Sequence, residues 1–459
     1  MNITDSNVRL TRAQSRHRKP AVAGMFYPSD RTELSQMVSR YTDVQARYSE
    51  QPRMLIVPHA GYIYSGAVAG TAYASLKNHR GSVKKVILFG PAHRTYIKGL
   101  ALPDADYLAT PLGDIPIDQS LAKQVMKFPQ VSISNDAHML EHSLEVQLPF
   151  LQLVLDCFSI LPLVVGSASI QEIMEILGRL GDMEEALIVI SSDLSHYHEY
   201  EVAQQIDAET STAITSCNLA AIGHHQACGF VALQGALQFA RDRGMWVVEL
   251  DRRNSGDTAG PRDRVVGYGA FAVYAERQYD NHQKRQLLDL ARSSILKGME
   301  SKRPLEFDTY GIDPILLEKS AAFVTLKING RLRGCIGTTS ADDSLARTVS
   351  VNAFNAAYRD PRFAPLEPEE YEHIELSISV LTEPRVLKYS TESELLACLV
   401  PGKVGLIIEL GPHRATFLPE VWKSLPRPLD FLQQLKIKAG ISRDAMPEMA
   451  WSYRAVHLE

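Results

Sequence analysis

Cysteine is scarce and scattered in this 459-residue chain: Cys157, Cys217, Cys228, Cys335 and Cys398. No CxxC pair occurs, which argues against a structural zinc site, and an odd, dispersed set suits free thiols in a reducing cytoplasm better than a disulfide framework. Long apolar runs are missing too; none reaches the roughly 20 residues of a membrane-spanning helix. The basic opening stretch, MNITDSNVRLTRAQSRHRKP, has no apolar h-region and does not read as a signal peptide. Residues 1–18 read instead as a mobile lead-in. Positive charge is not in excess: 48 Lys and Arg against 53 Asp and Glu give a net charge of -5. That argues against nucleic acid or an anionic membrane as the main partner. Internal repeats and low-complexity segments are absent.

What remains is ordinary globular composition, 45% hydrophobic and 22% charged, in a chain too long for one core. Met54–Val57, Lys84–Gly90, Ser159–Val165 and Glu185–Ile190 read as buried strands, and helical patterns lie between them. Asp118–Met126, Glu141–Leu155, Ile170–Leu180, Val202–Leu219 and Gly229–Arg243 are the clearest. This alternation predicts an α/β domain over 19–278 with a mostly parallel sheet covered by helices. The polar stretch ERQYDNHQK, 276–284, reads as a boundary. Beyond it, alternating strands meet at Asn329-Gly330, a hairpin signal, and helices intervene. Residues 284–459 therefore read as an α+β domain.

Three strands of the first domain end in polar turns. PHAGYIYSG brings His59 with Tyr62 and Tyr64, GPAHR brings His93, and SSDLSHYH brings Asp193 and His196. Ligands and catalytic groups collect past the carboxyl ends of such strands. Imidazoles with a carboxylate suit a non-haem iron type of centre. Asp193 could orient an imidazole, with His196 as general base; the plainer alternative is a helix-capping Asp193 and an exposed His196. In DAHMLEHSLE, residues 136–145, the spacing puts His138, His142 and Glu145 on one face if the helix reaches back that far. His142 and Glu145 read as cleft lining in preference to metal ligands. His198, His224 and His225 read as solvated.

PHAGYIYSG, GPAHR, EHSLEVQLPFL, SSDLSHY and NSGDTAGPRDRVVGYGAF, in that order from about Lys19 to Ala275, resemble the Memo family, also called AmmeMemoRadiSam system protein B. The resemblance implies a fold like that of class III extradiol dioxygenases. It implies a divalent metal, iron first and zinc or copper next, with His59 and His93 as ligands and His196 as the base-like histidine. Animal members use a cysteine as third ligand in the loop before the last strand. This chain has none between Cys228 and Cys335, and Asp257 in that loop is the expected replacement. Cys228, in ACGF, also resembles a family motif, as a small residue of the pocket wall.

In the second domain, LRGCIGT (332–338), YRDPRFAPL (358–366) and TFLPEVW (416–422) resemble the Ammecr family, AmmeMemoRadiSam system protein A. Strand alternation puts Arg333 and Cys335 on one face, where the cation would activate the thiol; a packed, inert cysteine is the alternative. Asp360 and Arg362 would pair with each other or contact a ligand. The two resemblances together imply a radical-SAM protein as partner, since no CxxxCxxC motif occurs here. They imply a metal-dependent, dioxygenase-like oxidoreductase acting on a small organic or modified-peptide substrate. The competing expectation is a non-catalytic peptide- or protein-binding module with a vestigial or structural metal.

Overall fold

A computed structural model describes residues 15–382 and 384–459. The chain forms two compact units, one ending at Ala275 and the other starting at Glu276.

In the first unit, four apolar runs form the parallel centre of a nine-stranded sheet: Met54–Val57, Ala186–Ser191, Lys85–Pro91 and Ser159–Val165, in that spatial order. Such runs carry no polar alternation because both faces are covered. Leu55, Val57, Val86, Leu88, Leu187 and Val189 point into one core, shared with the Tyr62–Ala74 and Leu148–Val154 helices. Met54, Ile56, Ile87, Phe89, Ile188 and Ile190 point into the other, under the Ile170–Leu180 and Phe230–Asp242 helices. The period-2 geometry of a strand divides each run between the two layers.

The sheet is mixed overall, which corrects the expectation of a mostly parallel one. Val265–Tyr274 runs antiparallel to Met54–Val57, and Trp246–Asn254 and His196–His198 run antiparallel to it in turn. No helix long enough for a crossover separates Trp246–Asn254 from Val265–Tyr274, so the chain returns as a hairpin, and a hairpin is antiparallel. On the other side, Leu100–Leu102 pairs antiparallel with Ser159–Val165, and Val131–Ile133 pairs parallel with Leu100–Leu102.

Two local readings change. His17–Arg18 is a short strand beside Tyr107–Leu108, so this end of the expected lead-in is docked; residues 1–14 lie outside the described residues. The expected helix over Glu141–Leu155 is broken. A short helix covers Asn135–Met139, a single 3-10 turn covers Glu145–Gln147, and the α-helix begins at Leu148 with Pro149 in its first turn. Proline suits that place because its missing N–H would be unsatisfied there anyway.

The second unit has two four-stranded antiparallel sheets. One runs in the order Arg331–Gly337, Ala322–Ile328, Ile374–Leu381, Ala455–Leu458. The other runs Arg385–Val386, Met449–Tyr453, Gly405–Leu410, His413–Phe417. The Asn281–Ser301 and Leu345–Tyr358 helices share a core with the first sheet. Asn329 and Gly330 both adopt positive φ, 52° and 71°, as a two-residue hairpin turn of this kind requires.

Candidate metal centre

The carboxyl ends of neighbouring strands bring His59, His93 and Asp193 together, because Ala186–Ser191 lies between Met54–Val57 and Lys85–Pro91. A third imidazole comes from the loop at His142. One ring nitrogen from each of His59, His93 and His142 lies within 4.8 Å of the others. The His93 and His142 rings stack with centroids 4.9 Å apart, and His59 meets each of them edge-on.

The hydrogen bonds fix the His59 tautomer. Ser191 Oγ donates its one proton to the Ser143 carbonyl (2.6 Å) and accepts from Gln147 Nε2 (2.9 Å). It can then only accept from His59 Nδ1, 3.0 Å away, so Nδ1 carries the proton and Nε2 presents a lone pair. Gln147 is oriented in turn by the Pro58 carbonyl and the Tyr73 hydroxyl. Burial, followed by the charge of His93, pushes His59 down to about 3, so the ring is neutral at physiological pH. Burial and then His59 push His142 down to about 4.

Glu141 orients the other pair. Its carboxylate accepts from His93 Nδ1 (2.9 Å) and from the backbone N–H groups of His93 (2.6 Å), His142 (2.9 Å) and Ser143 (2.9 Å). Burial alone would raise this carboxyl; the hydrogen bonds and charge of His93 outweigh it and hold the group down at about 2. His93 is left with Nε2 free, the carboxylate–histidine arrangement that orients metal-ligating imidazoles.

On the far side of His59, Cys228 Sγ lies 3.3 Å from Nε2 and accepts from the Asp193 backbone N–H at 3.3 Å. Burial and then Asp193 push this thiol up to about 12, so it is the donor to the imidazole. Gly229 permits the approach: a Cβ there would lie 2.8 Å from the Ser191 carbonyl oxygen. Asp193 is 5% exposed, and its Oδ1 accepts from the His59 backbone N–H at 2.7 Å. Burial raises its carboxyl, against the hydrogen bond from His59.

A cleft of about 800 Å³ opens over these groups. His196 and Tyr64 line it, as do Phe26, Arg94, Tyr197, Arg264 and Tyr268. His198, His224 and His225 line it as well, although the sequence reading leaves them in solvent.

Other expected site residues lie elsewhere. Tyr62 is a core residue, 2% exposed, whose hydroxyl donates to the Val146 carbonyl at 2.7 Å. Glu145 is an internal anchor: it pairs with Arg18 and accepts from Ala21 N, Val22 N and the Tyr27 hydroxyl. His138 is buried, with Nε2 2.8 Å from the Ala101 carbonyl. The one-face expectation for His138, His142 and Glu145 fails because the helix stops between them. Asp257 is not brought to the imidazoles. It is exposed, caps its own turn by accepting from Asn254 N at 2.9 Å, and takes the Tyr200 hydroxyl. Glu141, Ser191 and Gln147 have no sequence expectation: an acid, a serine and a glutamine announce nothing until their partners converge.

In the second unit, Arg333 is committed to Glu370 and to the carbonyls of Ala364 and Pro365, not to the Cys335 thiol. Gly334 pairs with Leu326 and Leu332 with Lys327, so Arg333 is a bulge without a ladder partner and the alternation breaks there. Its guanidinium holds Glu370 through two 2.7 Å bonds. Arg362 takes the place expected for it: Asp360 grips it at 2.6 and 2.9 Å, and it donates to the Cys335 carbonyl at 3.0 Å. Asp360 also accepts from Cys335 N (2.9 Å), while Thr325 Oγ1 donates to Cys335 Sγ (3.3 Å).

Known proteins resemble both regions. The Memo-like protein family matches residues 18–272, and the AMMECR1 family matches residues 288–457. A MEMO1 family protein of Aquifex aeolicus is 38% identical over 265 residues, 55% of this chain and 97% of its own. One from Thermoplasma volcanium is 33% identical over 265 residues, 56% of this chain and 98% of its own. The crystal structure of an uncharacterized protein from Pyrococcus horikoshii aligns at 29% identity and a TM-score of 0.37, covering 38% of this chain and 90% of that one. The chain belongs to the Memo-like family, with an AMMECR1 region following in the same polypeptide.

Proposed function

We propose that the chain is a metal-dependent enzyme whose centre is the His59–His93–His142 group, acting on a small organic or modified-peptide substrate in the cleft. The observation that carries this reading is the preparation of the imidazoles. Two have Nδ1 engaged, by Ser191 and by Glu141, and two are held neutral by burial. Neutral nitrogens presenting a lone pair are what a divalent ion needs; His93 Nε2 is free, and at His59 Nε2 the ion would displace the weak hydrogen bond from the Cys228 thiol. Three imidazoles favour borderline first-row ions over magnesium or calcium; iron as the first choice, then zinc or copper, rests on the motif resemblance. Such an ion supplies Lewis acidity and, for iron, redox chemistry.

The chain's own groups have separate tasks in this reading. Asp193 fixes the His59 backbone, and Glu141 fixes His93. His196, on the cleft wall, holds or moves a proton at the substrate. The dioxygenase-like fold, the AmmeMemoRadiSam setting, a radical-SAM partner and a cytoplasmic location belong to the same proposal and rest on motif resemblance. Among the described residues, no helix is long and apolar enough to cross a membrane. The second reading is a peptide-binding module, favoured by the Tyr197 ring on the cleft, 65% exposed.

Metal analysis of the full chain tests the centre. Wild type is expected to hold about one first-row metal per chain, His59→Ala and His142→Ala to lose it, and Asp257→Ala to keep it. Retention in His142→Ala together with loss in Asp257→Ala would overturn the assignment.

A further inference from the structure

Two guanidinium groups on the cleft have no acid to pair with. Arg94 directly follows His93, and Arg264 directly precedes the Val265–Tyr274 strand. Both line the same cleft as the three imidazoles. Among the described residues, neither makes an ion pair or a hydrogen bond. Arg264 lies over the Tyr197 ring, its Cζ 5.1 Å from the centroid. A guanidinium held by its face keeps its in-plane N–H donors free, in the fork that matches a carboxylate or phosphate. Elsewhere in the chain, arginines at built positions sit on carboxylates: Arg18 on Glu145, Arg333 on Glu370, Arg362 on Asp360.

Neither cation forms an ion pair with an acid of the cleft. Asp193 is the one carboxylate among its lining residues, and its Oδ1 is committed to His59 N. Two exposed guanidinium groups against one buried carboxylate leave the wall net positive, and a concave surface with an excess of one sign raises the local concentration of the opposite charge. A bound divalent ion would add to the same sign.

We propose that the cleft takes an anionic small molecule whose oxyanion group, a carboxylate or a phosphate, is held by Arg94 and Arg264. The rest of the molecule lies toward His59, His93 and His142. The inference deepens the metal-site reading by naming its substrate class, and the aromatic rings of Phe26, Tyr64 and Tyr197 supply the walls for an apolar body.

The test is calorimetric titration of the full chain, as isolated and after chelator stripping, with inorganic phosphate, with phthalate and with neutral phthalamide. Wild type is expected to bind at least one of the two anions and not phthalamide; which anion binds identifies the oxyanion. Arg94→Gln/Arg264→Gln should weaken that binding by about tenfold or more with unchanged metal content. Arg94→Lys/Arg264→Lys should recover part of it, because charge is kept and the fork is lost. Equal affinity in wild type and the double Gln variant would overturn the proposal, as would phthalamide binding as tightly as the anions. So would anion binding that disappears on stripping yet ignores the arginines. The stripped protein separates the two readings: arginine-dependent binding there survives a failure of the metal centre. A full metal complement with arginine-independent binding sinks only this inference.

Discussion

Replacing Glu141 with Gln exchanges one carboxylate oxygen for an NH₂ group at a site that offers only donors. Four N–H groups converge on this side chain: His93 Nδ1 and the backbone of His93, His142 and Ser143. Oε1 serves three of them and Oε2 serves His93 N, so the amide will turn its NH₂ toward His93 N. That places two buried donors face to face and weakens the other three bonds by removing the charge. An unsatisfied buried donor costs about 1–3 kcal/mol, and bonds to a charged acceptor contribute about 1.5–3 kcal/mol each before the neutral ones are credited back. A loss of about 2–4 kcal/mol in the stability of the first unit is therefore expected. The imidazole of His93 would lose its fixed tautomer, and metal affinity should fall by about 10–100-fold, as it does when such outer partners are removed. Competition with a chromophoric chelator measures the affinity, and urea unfolding of the metal-free chain measures the stability. Glu141→Gln that binds metal within about twofold of wild type, a difference below 0.5 kcal/mol, would refute the argument that this carboxylate prepares His93.

Acid should weaken the first unit through His138. Burial pushes this imidazole from 6.5 down to about 4, so on acidification the unfolded chain takes up the proton first. Its contribution is complete above about pH 6.5 and is lost as pH falls toward 4, about 3 kcal/mol over that interval. His138→Gln, which can still donate to the Ala101 carbonyl, should flatten the pH dependence of unfolding by that amount; an unchanged slope would exclude His138. His59 and His142 titrate with the same sign, so some slope should persist in the variant. In the second unit, Asp360→Ala removes the grip on Arg362 and the acceptor for Cys335 N. The expected cost is about 2–4 kcal/mol, with faster hydrogen exchange at the Cys335 amide. Exchange at the wild-type rate there would show that the clamp does not hold the strand.

Some of this protein was fixed by local sequence. Buried apolar runs ending in polar turns located His59, His93, Asp193 and His196, because a strand's direction places the residues just past its carboxyl end. The Ile170–Leu180 helix, with Ser169 and Glu172 in a reciprocal cap, and the Asn329-Gly330 turn were legible for the same reason: each depends on contacts a few residues apart. The Memo-like and AMMECR1 assignments came from ordered motifs.

Tertiary structure decided what depends on partners distant in sequence. His142 joined the imidazoles, and Asp257 did not, because a broken helix freed one loop and a local cap tied down the other. Glu145 became an anchor for residues 18–27, and Tyr62 a core residue, because burial at those positions is set by other segments. The bulge at Arg333 broke the alternation that had set it beside Cys335. Glu141, Ser191 and Gln147 reach the imidazoles of His59 and His93 and one another through hydrogen bonds spanning about 40 to 130 residues. A sequence states which groups are present and which way a strand runs; the packing of separate elements decides which of those groups share a proton, a charge or a cleft.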